Sequence, residues 1–291
     1  MALLVGAKLP HTGAVDPLTV TDAARSLESA GFDSLWVSDH VVMPGRITSW
    51  YPFAEDGVAT WPSDTPYLEA VVVLALAAAV TSRVRLGTAI LVLPQRNPVL
   101  LAKQVATVDA VSGGRFDLGV GAGWLAEEFA ALDTSFAGRG TRMETWIEVL
   151  RDCWTGRPHA RADAYPLADG ILVLPATAAP VPVLIGGHSP KALERAGRIG
   201  DGWLGQQSVP ELDTATLMSE IGTVRSHAER SGRDPAAIRM VLRLVGSLGR
   251  HATVAERAEA LTATGIDEII VDVDPFATDL LDIRRTLGGP E

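Results

Sequence analysis

Short apolar runs alternate with longer segments of helical periodicity along the whole chain, eight of each. The strand-like runs cover residues 3–9, 34–38, 84–90, 116–120, 181–185, 202–205, 240–246 and 268–273. Most are almost continuously apolar, as parallel strands buried on both faces must be; antiparallel strands with one wet face would alternate apolar and polar positions. Helix starts are legible at Asp16-Pro17, Thr65-Pro66, Asn97-Pro98, Ser189-Pro190 and Asp234-Pro235, each pairing a capping side chain with a proline suited to the first turn. Gly31 closes the first helix as a left-handed stop, and Ala30-Gly31-Phe32-Asp33 is echoed by Thr264-Gly265-Ile266-Asp267, each immediately before an apolar run. Eight such strand and helix repeats predict an α/β fold, the (β/α)8 TIM barrel.

Two segments exceed the repeat. Residues 44–66 are rich in Trp, Pro and Asp, and 157–180 in Pro and Ala. Both read as insertions at the strand-end side of a single domain spanning 1–291, the second with a small hairpin at 171–174. A chain of 291 residues, 47% hydrophobic, can bury one large core unaided. Its formal charge of −10, with Lys and Arg scattered among acids, argues against a nucleic-acid partner. Cys153 is the sole cysteine, which excludes an internal disulfide; its spacing from Trp146, Val149, Leu150 and Trp154 places it in a helix as a small core residue. The longest apolar stretch, 68–80, contains Glu69 and falls short of the roughly 20 residues that span a bilayer, so it reads as a buried helix. Residues 1–10 carry no signal-peptide pattern, and a cytoplasmic location is expected.

A barrel places its chemistry where strands end. The second strand runs into Ser38-Asp39-His40, a carboxylate beside the one side chain that exchanges protons near neutrality, which nominates His40 and Asp39 as catalytic. The fourth runs into Gly119-Val120-Gly121-Ala122-Gly123-Trp124, whose third glycine comes one residue too early for a dinucleotide fingerprint. The fifth runs into Gly186-Gly187-His188-Ser189-Pro190, where glycines permit close backbone approach and a helix N-terminus favours an anion such as phosphate. His11, His159, His227 and His251 are too dispersed to nominate a metal site, and none is expected. Trp50, Tyr51, Phe53 and Trp61 crowd the first insertion and are candidates for a substrate wall or for packing that loop down.

At these residues the chain resembles the luciferase-like monooxygenase superfamily, barrels that use reduced FMN or the deazaflavin coenzyme F420. The resemblance rests on the segment from Gly31 to His40, on Leu86-Gly87-Thr88-Ala89-Ile90, on Asn97-Pro98 with Ala102-Lys103-Gln104 and Asp109, on Ser112-Gly113-Gly114-Arg115, on Gly119 to Trp124 with Glu127-Glu128, and on Ile185 to Ser189 with Gly200-Asp201-Gly202-Trp203. It implies a cofactor ring lying across the strand ends against a bulge with a non-prolyl cis peptide at Ala89-Ile90. It further implies that Gly121, Ala122 and Gly123 with Gly186, Gly187, His188 and Ser189 hold the ribityl chain and phosphate. His40 matches a histidine beside the ring in a deazaflavin-dependent sugar-phosphate dehydrogenase of the superfamily. Where that dehydrogenase has a catalytic glutamate, this chain has Ala122, which speaks against glucose 6-phosphate as substrate. The wording of the chain looks most like the actinobacterial deazaflavin subgroup.

The resulting expectation is an F420-dependent oxidoreductase that transfers hydride to or from a small organic substrate. Its rivals are an FMN-dependent monooxygenase fed by a reductase partner, and a flavin-binding protein without turnover, for which an imidazole and open space at the ring would have no use. A homodimer is plausible for barrels of this kind.

Overall fold

The computed structural model describes residues 3–13, 16–59, 61–163 and 165–289. Residues 60 and 164, one in each insertion, and residues 1–2, at the head of the segment read for a signal peptide, lie outside them.

The strands are β1 (Leu4–Lys8), β2 (Ser34–Val37), β3 (Arg85–Thr88), β4 (Leu91–Val92), β5 (Phe116–Gly121), β6 (Val183–Gly186), β7 (Gly202–Ser208), β8 (Arg239–Val245) and β9 (Glu268–Val271). All pair in parallel in the order β3-β2-β1-β9-β8-β7-β6-β5-β4, and a β3–β5 pairing closes the sheet. β3 and β4 are two halves of one stave, parted at Ala89-Ile90, so nine segments make an eight-stave barrel. The Ala89-Ile90 peptide is cis. Around the staves pack α1 (Pro17–Ser29), α2 (Ala70–Val80), α3 (Pro98–Ser112), α4 (Ala126–Ala131), α5 (Arg139–Trp154), α6 (Pro190–Ile199), α7 (Thr214–Arg230), α8 (His251–Thr264) and α9 (Leu280–Thr286). The expected TIM barrel is the observed fold.

The repeated Gly-apolar-Asp turn has a physical cause. Gly31 and Gly265 sit at φ +84° and +96°, where a side chain would be strained. The aspartate that follows accepts the N–H of a strand beside it: Asp33 from Val5 at 2.8 Å and Asp267 from Met240 at 2.8 Å, with Asp201 doing the same for Val183 at 2.9 Å. Each turn thereby fixes where one strand starts against the next.

Three helix starts stand as read, with Asp16, Asn97 and Ser189 accepting the N–H groups of Thr19, Leu100 and Ala192. Thr65-Pro66 does not start a helix. The backbone there is extended, because Gly13 N–H bonds to Pro66 O and Leu68 N–H to His11 O, and α2 begins only where Glu69 accepts the N–H of Val72. Asp234-Pro235 opens a single 3₁₀ turn before β8. At 171–174 no hairpin forms; Val173 N–H bonds to Gly156 O, and the antiparallel bridge of that insertion joins Arg161 to Leu167. The second insertion is not at the strand-end side as read from sequence: it links the end of α5 to the start of β6, the helix-to-strand connection of the opposite face, packs Tyr165 edge-on against Trp146, and runs along the outside of α3 and α5. Cys153 is fully buried, as expected of a core residue, and burial pushes its thiol up to about 11.

The barrel interior is stacked in layers. At the strand-start end Ser34, Arg85, Asp117, Arg239 and Glu268 form a closed polar cluster: Asp117 meets Arg85 at 2.6 Å and Arg239 at 3.0 Å, and Arg239 meets Glu268 at 3.1 Å. Above it the Trp36 indole donates to Ser34 Oγ at 2.6 Å and packs with Leu184, Leu204, Val241 and Ile270. No helix among the described residues is long and apolar enough to cross a membrane.

Candidate active site

Over the Trp36 layer, at the strand ends, opens a cavity of about 1250 Å³. Every residue named from sequence as catalytic, cofactor-binding or substrate-lining borders it: Asp39, His40, Trp50, Tyr51, Trp61, Ala89, Ile90, Gly121, Ala122, Gly123, Gly186, Gly187, His188 and Ser189.

His40 follows β2, and its Nδ1 lies 3.1 Å from Glu128 Oε2. Glu128 is buried, and its other oxygen accepts the N–H groups of Val41 at 2.6 Å and Val42 at 3.1 Å. Burial alone would raise this carboxyl; the His40 ring and the two N–H groups outweigh it and hold Glu128 below the usual carboxylate range. A carboxylate on Nδ1 selects the tautomer whose Nε2 carries the lone pair. Among the described residues that nitrogen has no partner, and the ring borders the cavity.

Asp39 does not assist His40. Its carboxylate turns the other way, accepting Arg96 at 2.6 Å and Val92 N–H at 3.0 Å, and so ties the end of β2 to β4 beyond the bulge. Arg96 also reaches Glu69 at 2.8 Å. The neighbour in sequence is a brace, and the partner of the imidazole comes from α4. Glu127, next to it, accepts Ser49 Oγ at 2.6 Å and Thr48 N–H at 2.6 Å. Against the upward push of desolvation these donors hold it down to about 2. The Glu127-Glu128 pair thus fastens the first insertion to the barrel.

Under the second strand end lies His11, fully buried, donating from Nδ1 to Leu9 O at 2.9 Å and accepting Ser38 N–H on Nε2 at 3.1 Å. Burial pushes its pKa down to about 4, so it is neutral at physiological pH. This is a structural histidine.

The first insertion supplies an aromatic wall. Tyr51 meets Trp61 and Trp124 edge-on, each with ring centroids 5.1 Å apart, and Tyr67 stands edge-on to His40 at 5.2 Å. Phe53 reaches His188 at 6.1 Å, so the insertion spans from the end of β2 to the end of β6. Trp50 is 64% exposed and folds over Gly57 of its own loop.

Across the cavity His188 is pinned at both nitrogens, Nδ1 to Glu220 at 2.7 Å and Nε2 to Gln206 N–H at 2.9 Å, while Ser189 caps α6. Gly121 and Gly186 leave room for a protein side chain: a Cβ on either would come within 2.7 Å of Ile90. The bulge therefore projects Ile90 across both glycines as a smooth apolar backing, and the close approach read from sequence is made to Ile90. Arg139 completes this side, donating to Gly123 O at 3.0 Å. A flat ligand on Ile90 with a phosphate toward Ser189, the α6 N-terminus and Arg139 matches these donors. No group of three or more metal-ligating side chains occurs among the described residues.

Residues 2–278 match the luciferase-like monooxygenase family. The chain belongs to that family. Among its relatives are an uncharacterized Mycobacterium tuberculosis protein, 34% identical over 209 residues and 72% of each chain, and an F420-dependent glucose-6-phosphate dehydrogenase of Nakamurella multipartita, 32% identical over 222 residues, 75% of this chain and 60% of that one. Among solved structures, an F420-dependent secondary alcohol dehydrogenase in complex with an F420-acetone adduct superposes with a TM-score of 0.76 over 99% of this chain and 98% of its own, at 19% identity, a likeness of fold. Within the family barrel, sequence reasoning missed the role of Glu128, which it quoted only as part of a motif, and missed Lys8, Tyr67, Arg139 and Gln206, none of which follows an unusual local pattern.

Proposed function

We propose that this luciferase-like barrel is an F420-dependent oxidoreductase acting on a small organic substrate. The observation that carries the reading is the His40–Glu128 pair at the rim of a large cavity that offers Ile90 of the neighbouring stave as a backing, and the capped α6 N-terminus and Arg139 on its far side, to a flat, phosphate-bearing cofactor. Coenzyme F420, when bound, supplies a two-electron carrier that gives or takes hydride. The chain's own residues do the rest. Glu128 keeps a proton on His40 Nδ1, leaving Nε2 to take or return the substrate proton that accompanies loss or gain of hydride. Tyr51, Trp61, Tyr67 and Trp124 exclude water around that imidazole. Burial pushes the Tyr67 phenol up to about 12, so it stays neutral and serves as wall and hydrogen-bond donor.

The family also holds monooxygenases that use FMN, and one titration decides. Calorimetry with purified F420 and with FMN should give tight F420 binding; tight FMN binding without F420 binding would overturn the proposal.

A further inference from the structure

The cationic side chains bordering the cavity are not equally balanced. Arg195 pairs with Glu144 at 2.6 Å and Arg243 with Asp272. Asp39, the one carboxylate on the wall among the described residues, is taken by Arg96. Lys8 and Arg139 remain without a carboxylate partner among the described residues, in a chain whose formal charge is −10. The two stand on different sides. Lys8 ends β1, which lies four staves from β6 in a barrel of eight, on the side opposite the α6 N-terminus. Arg139 begins α5, beyond β5 and beside β6. An anion held by Ser189 and Arg139 therefore belongs to the side of the barrel across from Lys8.

We propose that Lys8 anchors an acidic substrate, a small molecule bearing a carboxylate or phosphate, with its reacting carbon beside His40. Three observations support this. Lys8 shares a rung with Trp36 in the β1–β2 pairing and faces the same interior as Gly6, so its side chain rises from the cavity floor. β1 is the stave next to β2, which carries His40 at its end. Burial and the neighbouring Arg243 charge both push the Lys8 ammonium down, with Asp272 opposing them, so an arriving oxyanion relieves an unfavourable charge. Arg243, two staves along on β8, borders the cavity on this side as well, its guanidinium already held by Asp272 and by the carbonyls of Leu244 and Ile270, which leaves Lys8 as the free cation there among the described residues.

This inference rests on the oxidoreductase reading for its role, and the test separates the two. Protein saturated with F420 is titrated calorimetrically with benzoate, phenyl phosphate and neutral benzamide, chosen to suit the aromatic wall. At least one anion should bind ~10- to 100-fold tighter than benzamide, the range of a charge-assisted hydrogen bond, and the tighter of the two identifies the oxyanion. Lys8→Met should abolish the preference and leave the F420 affinity unchanged; Lys8→Arg, which keeps the charge, should retain most of it. Equal binding of benzamide, or an anion preference that survives Lys8→Met, overturns the assignment. So does an equal loss of F420 affinity, which would place Lys8 on the cofactor. If F420 does not bind at all, the oxidoreductase reading falls, and the anion titration on the protein alone still decides whether Lys8 binds acids.

Discussion

The two ends of this barrel's interior hold comparable sets of charged side chains and do opposite things with them. At the strand-start end Arg85, Asp117, Arg239 and Glu268 come from four different strands and pair with one another, leaving Arg239 Nε without a partner among the described residues but walled in by the cluster. Asp117 is fully buried with a guanidinium on each oxygen, and Trp36 closes the cluster from above. At the strand-end side His40, Lys8 and Arg139 each keep bonding capacity that no described residue takes up, and they border an open cavity. Buried charge by itself therefore says little about function. What distinguishes the working end is unsatisfied capacity facing space that a ligand can fill.

Three measurements sharpen this contrast. The largest effect is expected at the open end: His40→Ala should lower kcat by about 10²- to 10⁴-fold, the usual worth of a positioned acid–base group, while the F420 affinity and the melting temperature stay close to those of the parent. Full turnover in that variant would remove His40 from the chemistry. At the closed end the pattern should invert. Asp117→Ala leaves two guanidinium groups facing each other and should cost about 3–5 kcal/mol of stability in a denaturant titration, with the cofactor affinity of the folded fraction unchanged. Loss of cofactor binding without loss of stability would erase the distinction between the ends.

The smallest effect is a pH dependence shared by the residues that join the working end to the barrel. His11 is buried neutral, with its pKa lowered from 6.5 to about 4. The folded state thus refuses a proton that the unfolded chain accepts, so its contribution is complete above pH 6.5 and is lost as pH falls toward 4. That loss amounts to about 3 kcal/mol, taking about 1.4 kcal/mol per pKa unit. Glu127 and Glu128, both held low by hydrogen bonds, add a second stage: their stabilisation is present above about pH 4.5 and is lost at lower pH, for Glu127 as pH drops toward 2. A stability profile that is flat between pH 7 and 4 would contradict the burial of His11.

The aligned strands and the Gly-Asp turns were legible in sequence because their causes are local: apolar continuity, a glycine at positive φ, and an aspartate within reach of the adjoining strand. The helix assigned to Thr65-Pro66 failed for the opposite reason. Its backbone is claimed by the loop after β1, 50 residues and more away in sequence, and a capping signal does not register that competition. The same limit misassigned the partner of His40. Adjacency favoured Asp39, yet consecutive residues at a strand end point to different sides, and Asp39 was drawn to Arg96 while α4 delivered Glu128 from 88 residues downstream.

The chain's own order of residues determined the number of staves, their parallel sense, the rim at which chemistry gathers, and His40 as a residue of that rim, since each follows from periodicity and from the geometry of a closed strand–helix repeat. Only the tertiary structure decided which carboxylate serves the imidazole, that Gly121 and Gly186 make room for Ile90, and that Lys8 stands opposite the α6 N-terminus without a carboxylate partner among the described residues. Those are statements about distances between segments remote in sequence, fixed by how the barrel closes and by what each side chain meets when it does.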